Sequence, residues 1–396
     1  MNLRNETSHG LPLPDDDSAR HSEAVVAHIT ALIAGAGGSI SFAEYMQEVL
    51  YAPGLGYYAA GATKLGADGD FVTAPEISSY FGYVLARQSA FVLEQLGGGD
   101  VLEPGAGSGA LAISLLTKLA ELRALPHRYL ILEVSADLRE RQEQRLRKEI
   151  PQFIDRVEWI AELPQQFSGV VIANEVADAI PVERFAIRDG KVQQARIGKG
   201  DDGFVWLYQP APRVIVNAVR EIESGIGREL EDGFESEIAM GLSNWIGDLS
   251  RSVARGMIFL IDYGVTCREY YAPDRDTGWL RCHFRHFAHH DPLILPGIQD
   301  LTAWVDFTAV AESAANAGMD VAGFTTQASF LMSGGLEEEL HEFVNLPIER
   351  QVELSGQIKI LTLPAEMGEN FKCIGLSRGD IVTPPAFRGS DRAHLL

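Results

Sequence analysis

Hydrophobic positions change their period near residue 100. Before it they recur at helical spacing: 23–34 reads as a helix, and Ser41 with Glu44 predicts a capping box. That box opens a second helix whose apolar face is Tyr45, Met46, Val49 and Leu50. From Asp100 onward, short apolar runs alternate with amphipathic stretches, the rhythm of a parallel sheet with crossover helices. Strands are predicted at 101–103, 129–134, 157–160, 169–173, 257–264 and 371–377. Leu111, Leu115, Leu119 and Leu122 recur at helical spacing after the first, and 136–148 forms a polar helix after the second. Antiparallel strands are expected over 182–208, with turn signals at Asp189-Gly190 and Asp201-Asp202-Gly203. A helix is expected at 237–253, and helical signal returns at 304–317, 336–343 and 348–360. Between them, 265–299 has little periodicity and reads as a lid or inserted lobe.

The predicted organisation is a disordered polar tail (1–20), then a helical cap with donor-covering loops (21–99). A nucleotide-binding core follows (100–264) with a β insertion at about 182–208, then a lid and helical lobe (265–365), and a last core strand and tail (366–396). Charge narrows the partners. Fifty-five acids against 33 bases leave a net charge of -22, which argues against a basic face for nucleic acid and accommodates a cationic partner more easily, with solubility the default reading of the acidic excess. No apolar run reaches membrane-spanning length, so no membrane insertion is expected, and no signal-peptide pattern is present. Cys267, Cys282 and Cys373 are scattered, which predicts a reduced, cytoplasmic enzyme.

The candidate chemistry starts at VLEPGAGSGALAISLL, a strand, a glycine-rich turn and a helix. Glu103 ends the strand, and Gly105, Ala106, Gly107 and Gly109 form the turn, where a side chain would block a ligand's approach to the backbone. Gly105, Gly107 and Ala110 also satisfy a dinucleotide fingerprint. Glu103 favours the other ligand: it would repel a pyrophosphate but suits S-adenosylmethionine, which carries an ammonium and a sulfonium. Glu133, ending the next strand, is expected to accept from both ribose hydroxyls, a role that either ligand would want. Val134 beside it is counted as a donor contact. The aromatic and glycine stretches 51–58 and 69–82 read as a cover, with Thr73, Pro75 and Glu76 touching the donor. The strand GVVIA ends at Asn174, Glu175 and Asp178, followed by Pro181, a candidate substrate loop. His283, His286, His289 and His290 cluster without the partner pattern of a zinc site, so no metal is expected.

The segments GYY, GDFVTAPEISSYFG, LEPGAGSG, NEVADAIPVERF, IDYG, LRCHFRH, DPLILPGIQDLTAWVDF and EMGENFKCIGLSRG occur in this order. Together they resemble the MidA family, whose mitochondrial members are arginine methyltransferases that assist respiratory complex I assembly. The resemblance covers residues 25–379. It implies a doubly wound, seven-stranded, Rossmann-like α/β methyltransferase sheet with a helical cap and an inserted helical lobe. It also implies S-adenosylmethionine as methyl donor and an arginine nitrogen of a protein as acceptor. The family's glycine motif falls on Glu103, Gly105, Gly107 and Gly109, its ribose-binding acid on Glu133, and its NExxDALP loop on Asn174, Glu175, Asp178 and Pro181. The chain departs from the family at Val176 and Ala177, where two aromatics are common, and at Trp304, where many members carry histidine.

A guanidinium is protonated at neutral pH and its lone pairs are delocalised, so it is a poor nucleophile. Carboxylates can hold it, localise its charge and take its proton, which makes Glu175 and Asp178 the expected catalytic pair, with Asn174 beside them. Glu76 and Asp262 are further acids for the pocket, and Asp178 has a second reading as a turn cap before Pro181. The expected partner is an arginine-bearing protein, a respiratory complex I subunit or another assembly target, and a homodimer is compatible. The competing readings are a small-molecule or non-arginine acceptor, a non-catalytic assembly factor on the same fold, and a nicotinamide enzyme.

Overall fold

Short runs of Val, Leu and Ile, most of them buried, build the central sheet. The structure, a computed structural model, describes residues 10–59 and 72–396. The sheet strands are β1 (Asp100–Pro104), β2 (Tyr129–Leu132), β3 (Val157–Ile160), β4 (Phe167–Asn174), β5 (Val253–Val265), β6 (Asp320–Thr326) and β7 (Phe371–Arg378). Their spatial order is β6-β7-β5-β4-β1-β2-β3, and a two-residue strand, Val305–Asp306, adds to the end of β5. All seven run parallel except β7, which is antiparallel to both its neighbours. Strand order reverses at β1, which has β2 on one side and β4 on the other. A crevice at the carboxyl ends of such strands is where open α/β sheets bind ligands.

Three helices accompany these strands: α1 (Ser79–Leu96), α2 (Ala110–Glu121) and α3 (Ala136–Glu149). Leu111, Leu115 and Leu119 lie on the buried face of α2, each removal from water contributing about 1.5–3 kcal/mol. β6 escapes the hydrophobic pattern because its neighbour's ring fills its space. A Cβ on Gly323 would lie 2.5 Å from Phe387, and one on the facing Gly375 2.6 Å from the same ring.

The chain divides into two units. The first holds the described residues before Val72 together with Ala179–Gly241 and Cys267–Trp304; the second holds Val72–Asp178, Leu242–Thr266 and Val305–Leu396. The second contains the parallel sheet. The first packs helices Asp16–Gly35 and Phe42–Tyr51 with an antiparallel sheet of Ser39–Ser41, Glu183–Arg188, Lys191–Lys199, Phe204–Pro210 and Glu235–Ile238. The capping box forms, with Glu44 N–H donating to Ser41 Oγ and Ser41 N–H to Glu44 Oε2.

Several expectations are corrected. The first helix starts at Asp16, inside the expected tail, because Asp15 caps it and Asp16 and Asp17 suit its positive end; residues 1–9 lie outside the described residues. Glu237 belongs to a strand, where it is fully buried and paired with Arg184, and the helix begins only at Leu242. The stretch 265–299 is largely built: Leu280–Phe284 pairs with Phe287–His289 and Asp300–Ala303 in a three-stranded sheet. Its apolar residues alternate too briefly to be read, and Arg285 and His286 turn its hairpin at positive φ. The stretch 265–365 is no single lobe, since its parts on either side of Trp304 and Val305 belong to different units.

Candidate functional site

The carboxyl ends of β1, β2 and β4 carry most of the expected donor and acceptor residues, all in the second unit. After β1 the chain turns through Gly105, Gly107 and Gly109 at φ +65°, +53° and +85°. At Gly109 the constraint is packing as well as conformation, because a Cβ there would sit 2.6 Å from Leu146 of α3. Ala106 is buried within the turn.

Glu103 is 3% exposed and accepts a 2.5 Å hydrogen bond from the Tyr129 hydroxyl. Burial pushes its carboxyl up to about 7, against the lowering pull of that hydroxyl. Its charge is therefore conditional near neutral pH, and a neighbouring cation would draw out the proton.

Glu133 follows β2. Its Oε1 accepts from Ser135 N–H at 2.8 Å and its Oε2 from Gln142 Nε2 at 3.2 Å. Burial raises its pKa, while the Ser135 and Gln142 hydrogen bonds oppose the rise. Val134 next to it is 82% exposed, an apolar surface available to a flat ring.

The expected acceptor loop leaves β4 at Asn174. Glu175 has φ +52°, rare for a residue with a side chain. Its Oε1 accepts from Ala74 N–H at 3.2 Å and from Asn174 Nδ2 at 3.1 Å. The Ala74 bond ties Thr73, Pro75 and Glu76 to this loop by their shared backbone. The Asn174 Oδ1 is buried and accepts no hydrogen bond from any described residue. Asp178 is 7% exposed and accepts from the Tyr263 hydroxyl.

Two expected acids have structural partners. Asp262 is fully buried beneath the loop: its Oδ2 accepts from Ala177 N–H at 3.0 Å and Asp178 N–H at 3.2 Å, and its Oδ1 from Tyr263 N–H at 2.9 Å. Burial, with Asp178 and Glu175 adding repulsion, holds its carboxyl well above the usual range. Glu76 accepts from Ser108 of the glycine turn and from Arg145 Nη1 at 2.8 Å. Both brace loops that face the crevice.

Gln142, Tyr129, Trp159 and Tyr263 escaped sequence reading. The one available signal was on α3, where only Gln142 and Leu146, four residues apart, are buried. Trp304 lies in the first unit and stacks on Trp279 with centroids 4.4 Å apart. Of the expected cover, residues 60–71 lie outside the described residues. Among the described residues, no cluster of three or more His, Cys, Asp or Glu can hold a metal, and no helix is long and apolar enough to cross a membrane.

These residues fit S-adenosylmethionine on the structure's own terms. A buried acceptor on Asn174 awaits a donor, a buried acid at Glu103 suits a cation, and Glu133 is held at the next strand tip.

The family described as "Putative S-adenosyl-L-methionine-dependent methyltransferase" matches residues 84–325. The Drosophila melanogaster protein arginine methyltransferase NDUFAF7 homolog, mitochondrial, is 30% identical over 86% of this chain and 82% of its own. The human protein arginine methyltransferase NDUFAF7, mitochondrial, is 30% identical over 86% of this chain and 80% of its own. A Burkholderia thailandensis protein solved with S-adenosyl-homocysteine bound is 40% identical, with a TM-score of 0.92 over 98% of this chain and 100% of that one. The expected cytoplasmic location is corrected by the curated relatives, which are named as mitochondrial proteins. Scattered cysteines report a reducing environment and carry no address. The family match and the similarity over nearly the whole chain make this protein a methyltransferase that uses S-adenosylmethionine, a member of the family its ordered motifs resemble.

Proposed function

We propose that this methyltransferase modifies an arginine of a protein, with Glu175 and Asp178 holding the guanidinium. The observation that carries the reading is this pair of carboxylates on one loop at the end of β4, each restrained by a partner: Ala74 N–H for Glu175 and the Tyr263 hydroxyl for Asp178. Restrained carboxylates align a nitrogen better than mobile ones, and alignment dominates a direct displacement. The relatives named as protein arginine methyltransferases support the same acceptor.

S-adenosylmethionine supplies a methyl group bonded to a sulfonium, which leaves its bonding electrons on sulfur as the new N–C bond forms. The chain's residues do the rest. Glu133 holds the ribose and the glycine turn receives the methionine end. Glu175 takes the proton that the guanidinium nitrogen gives up, and Asp178 fixes the other side of the plane. A net charge of -22 draws cationic segments of an acceptor to the protein. A respiratory complex I subunit is a target worth testing on the family resemblance, and a homodimer is compatible with it.

The test uses labelled methyl donor and an extract lacking this protein, with mass spectrometry to locate the label. Arginine should carry it. Glu175→Gln should keep donor binding while single-turnover transfer falls about 100-fold or more, a barrier rise of roughly 3 kcal/mol. Label on lysine, glutamine or a small molecule ends the arginine reading, and normal turnover by Glu175→Gln ends the carboxylate mechanism.

A further inference from the structure

Helix α3 is polar along nearly its whole length, yet it buries one amide completely: Gln142. A buried amide is costly unless all its hydrogen-bonding groups are used. Here they are. The Gln142 Oε1 accepts from Trp159 Nε1 at 2.9 Å. Its Nε2 donates to the Gly107 carbonyl at 2.9 Å and to Glu133 Oε2 at 3.2 Å. One NH2 group thus joins the glycine turn after β1 to the acid after β2.

Only a carboxamide does this. It needs an acceptor on one side for the indole N–H and two hydrogens on the other for two different oxygens. A glutamate would set one carboxylate against another, and a methionine or leucine would leave the half-buried Gly107 carbonyl and Trp159 indole N–H without this partner. Trp159, at the third position of β3, decides which way the amide faces, since a flipped amide would turn N–H toward N–H.

We propose that Gln142 is a positioning residue of the donor site. It holds the Glu133 carboxylate and the Gly107 turn in one fixed relation, with Trp159 locking its orientation. Ser135 N–H and Gln142 Nε2 each engage one oxygen of Glu133. The carboxylate cannot rotate, and each oxygen keeps a lone pair for one hydroxyl of a vicinal diol. This role rests on Glu133 being the ribose acid, as proposed above.

The experiment is a binding cycle on the full-length protein. Calorimetry compares S-adenosylhomocysteine with its 2′-deoxy analogue for wild type, Gln142→Met, Trp159→Phe and Glu133→Gln. Wild type should favour the hydroxylated ligand by about tenfold, the worth of one charge-assisted hydrogen bond. Gln142→Met should lose about tenfold for S-adenosylhomocysteine but little for the analogue, so that discrimination collapses to about twofold. Trp159→Phe should move the same way by a smaller factor, and it carries the test if Gln142→Met does not fold. A general loss of packing would weaken both ligands equally and leave the ratio unchanged. Discrimination kept in Gln142→Met or, where that variant does not fold, in Trp159→Phe, yet abolished in Glu133→Gln, overturns the role of Gln142 alone. Discrimination unchanged in Glu133→Gln overturns the ribose assignment beneath it.

Discussion

The proposed donor and acceptor sides of the site lie at the ends of neighbouring strands but are held by different means. On the donor side the ties are short in sequence: Glu133 bonds to Ser135 two residues on and to Gln142 nine residues on. On the acceptor side, apart from the neighbouring Asn174 amide, they are long. Glu175 is held by Ala74, 101 residues earlier, and the loop hangs on Asp262 and Tyr263, 85 residues later. The donor side is complete once β1, β2, β3 and their helices have assembled. The acceptor loop needs β5 in place, and only then can Glu175 be kept at a left-handed φ that its side chain disfavours. Donor capture and acceptor alignment should accordingly separate under mutation.

The largest expected effect is on the donor side. Gly107→Val puts a branched side chain at φ +53° in the turn whose carbonyl rests on Gln142, and donor binding should fall about 100-fold or more. Calorimetry on a variant whose circular dichroism is native decides it; ordinary affinity would remove the turn from the site.

The next effect is a pH dependence. The folded Glu103 carboxyl titrates at about 7 and an unfolded one at 4.5, so the folded protein binds the extra proton between them. Stability from this group is present below 4.5, falls as pH rises through the interval, and is lost above about 7. Relative to Glu103→Gln, the wild type without donor should lose about 2.5 kcal/mol between pH 5 and 8. Urea unfolding at both pH values measures it, and parallel curves for the two proteins would show that Glu103 does not titrate there.

The smallest effect tests the separation itself. Asp262→Asn leaves one oxygen where two were accepting backbone hydrogens. Methyl transfer should drop about tenfold while donor affinity stays within about twofold. Equal losses in both would mean that the two sides are one cooperative unit.

Legibility in the sequence follows the same division. The turn from Glu103 to Gly109 and the acid at Glu133 stand out because their geometry is local. Gln142 does not, being one of two glutamines in a helix of mostly charged residues. β6 is hidden from a linear reading because Phe387, more than sixty residues away, fills the space its glycine leaves. Glu237 looked like a helix start because its strand has only four residues, and its partner Arg184 is 53 residues off.

What the sequence by itself determined was the α/β rhythm, the glycine turn, and which acids end which strands. Period and backbone conformation are set by neighbours in the chain, so a linear reading reaches them. Only the tertiary structure decided what each acid does. Glu103 is buried against Tyr129, Glu133 is pinned by an amide, Glu175 and Asp178 border the loop, and Asp262 carries it from beneath. These carboxylates are alike in chemistry and differ in burial and partners, and burial and partners come from residues that meet only when the sheet closes.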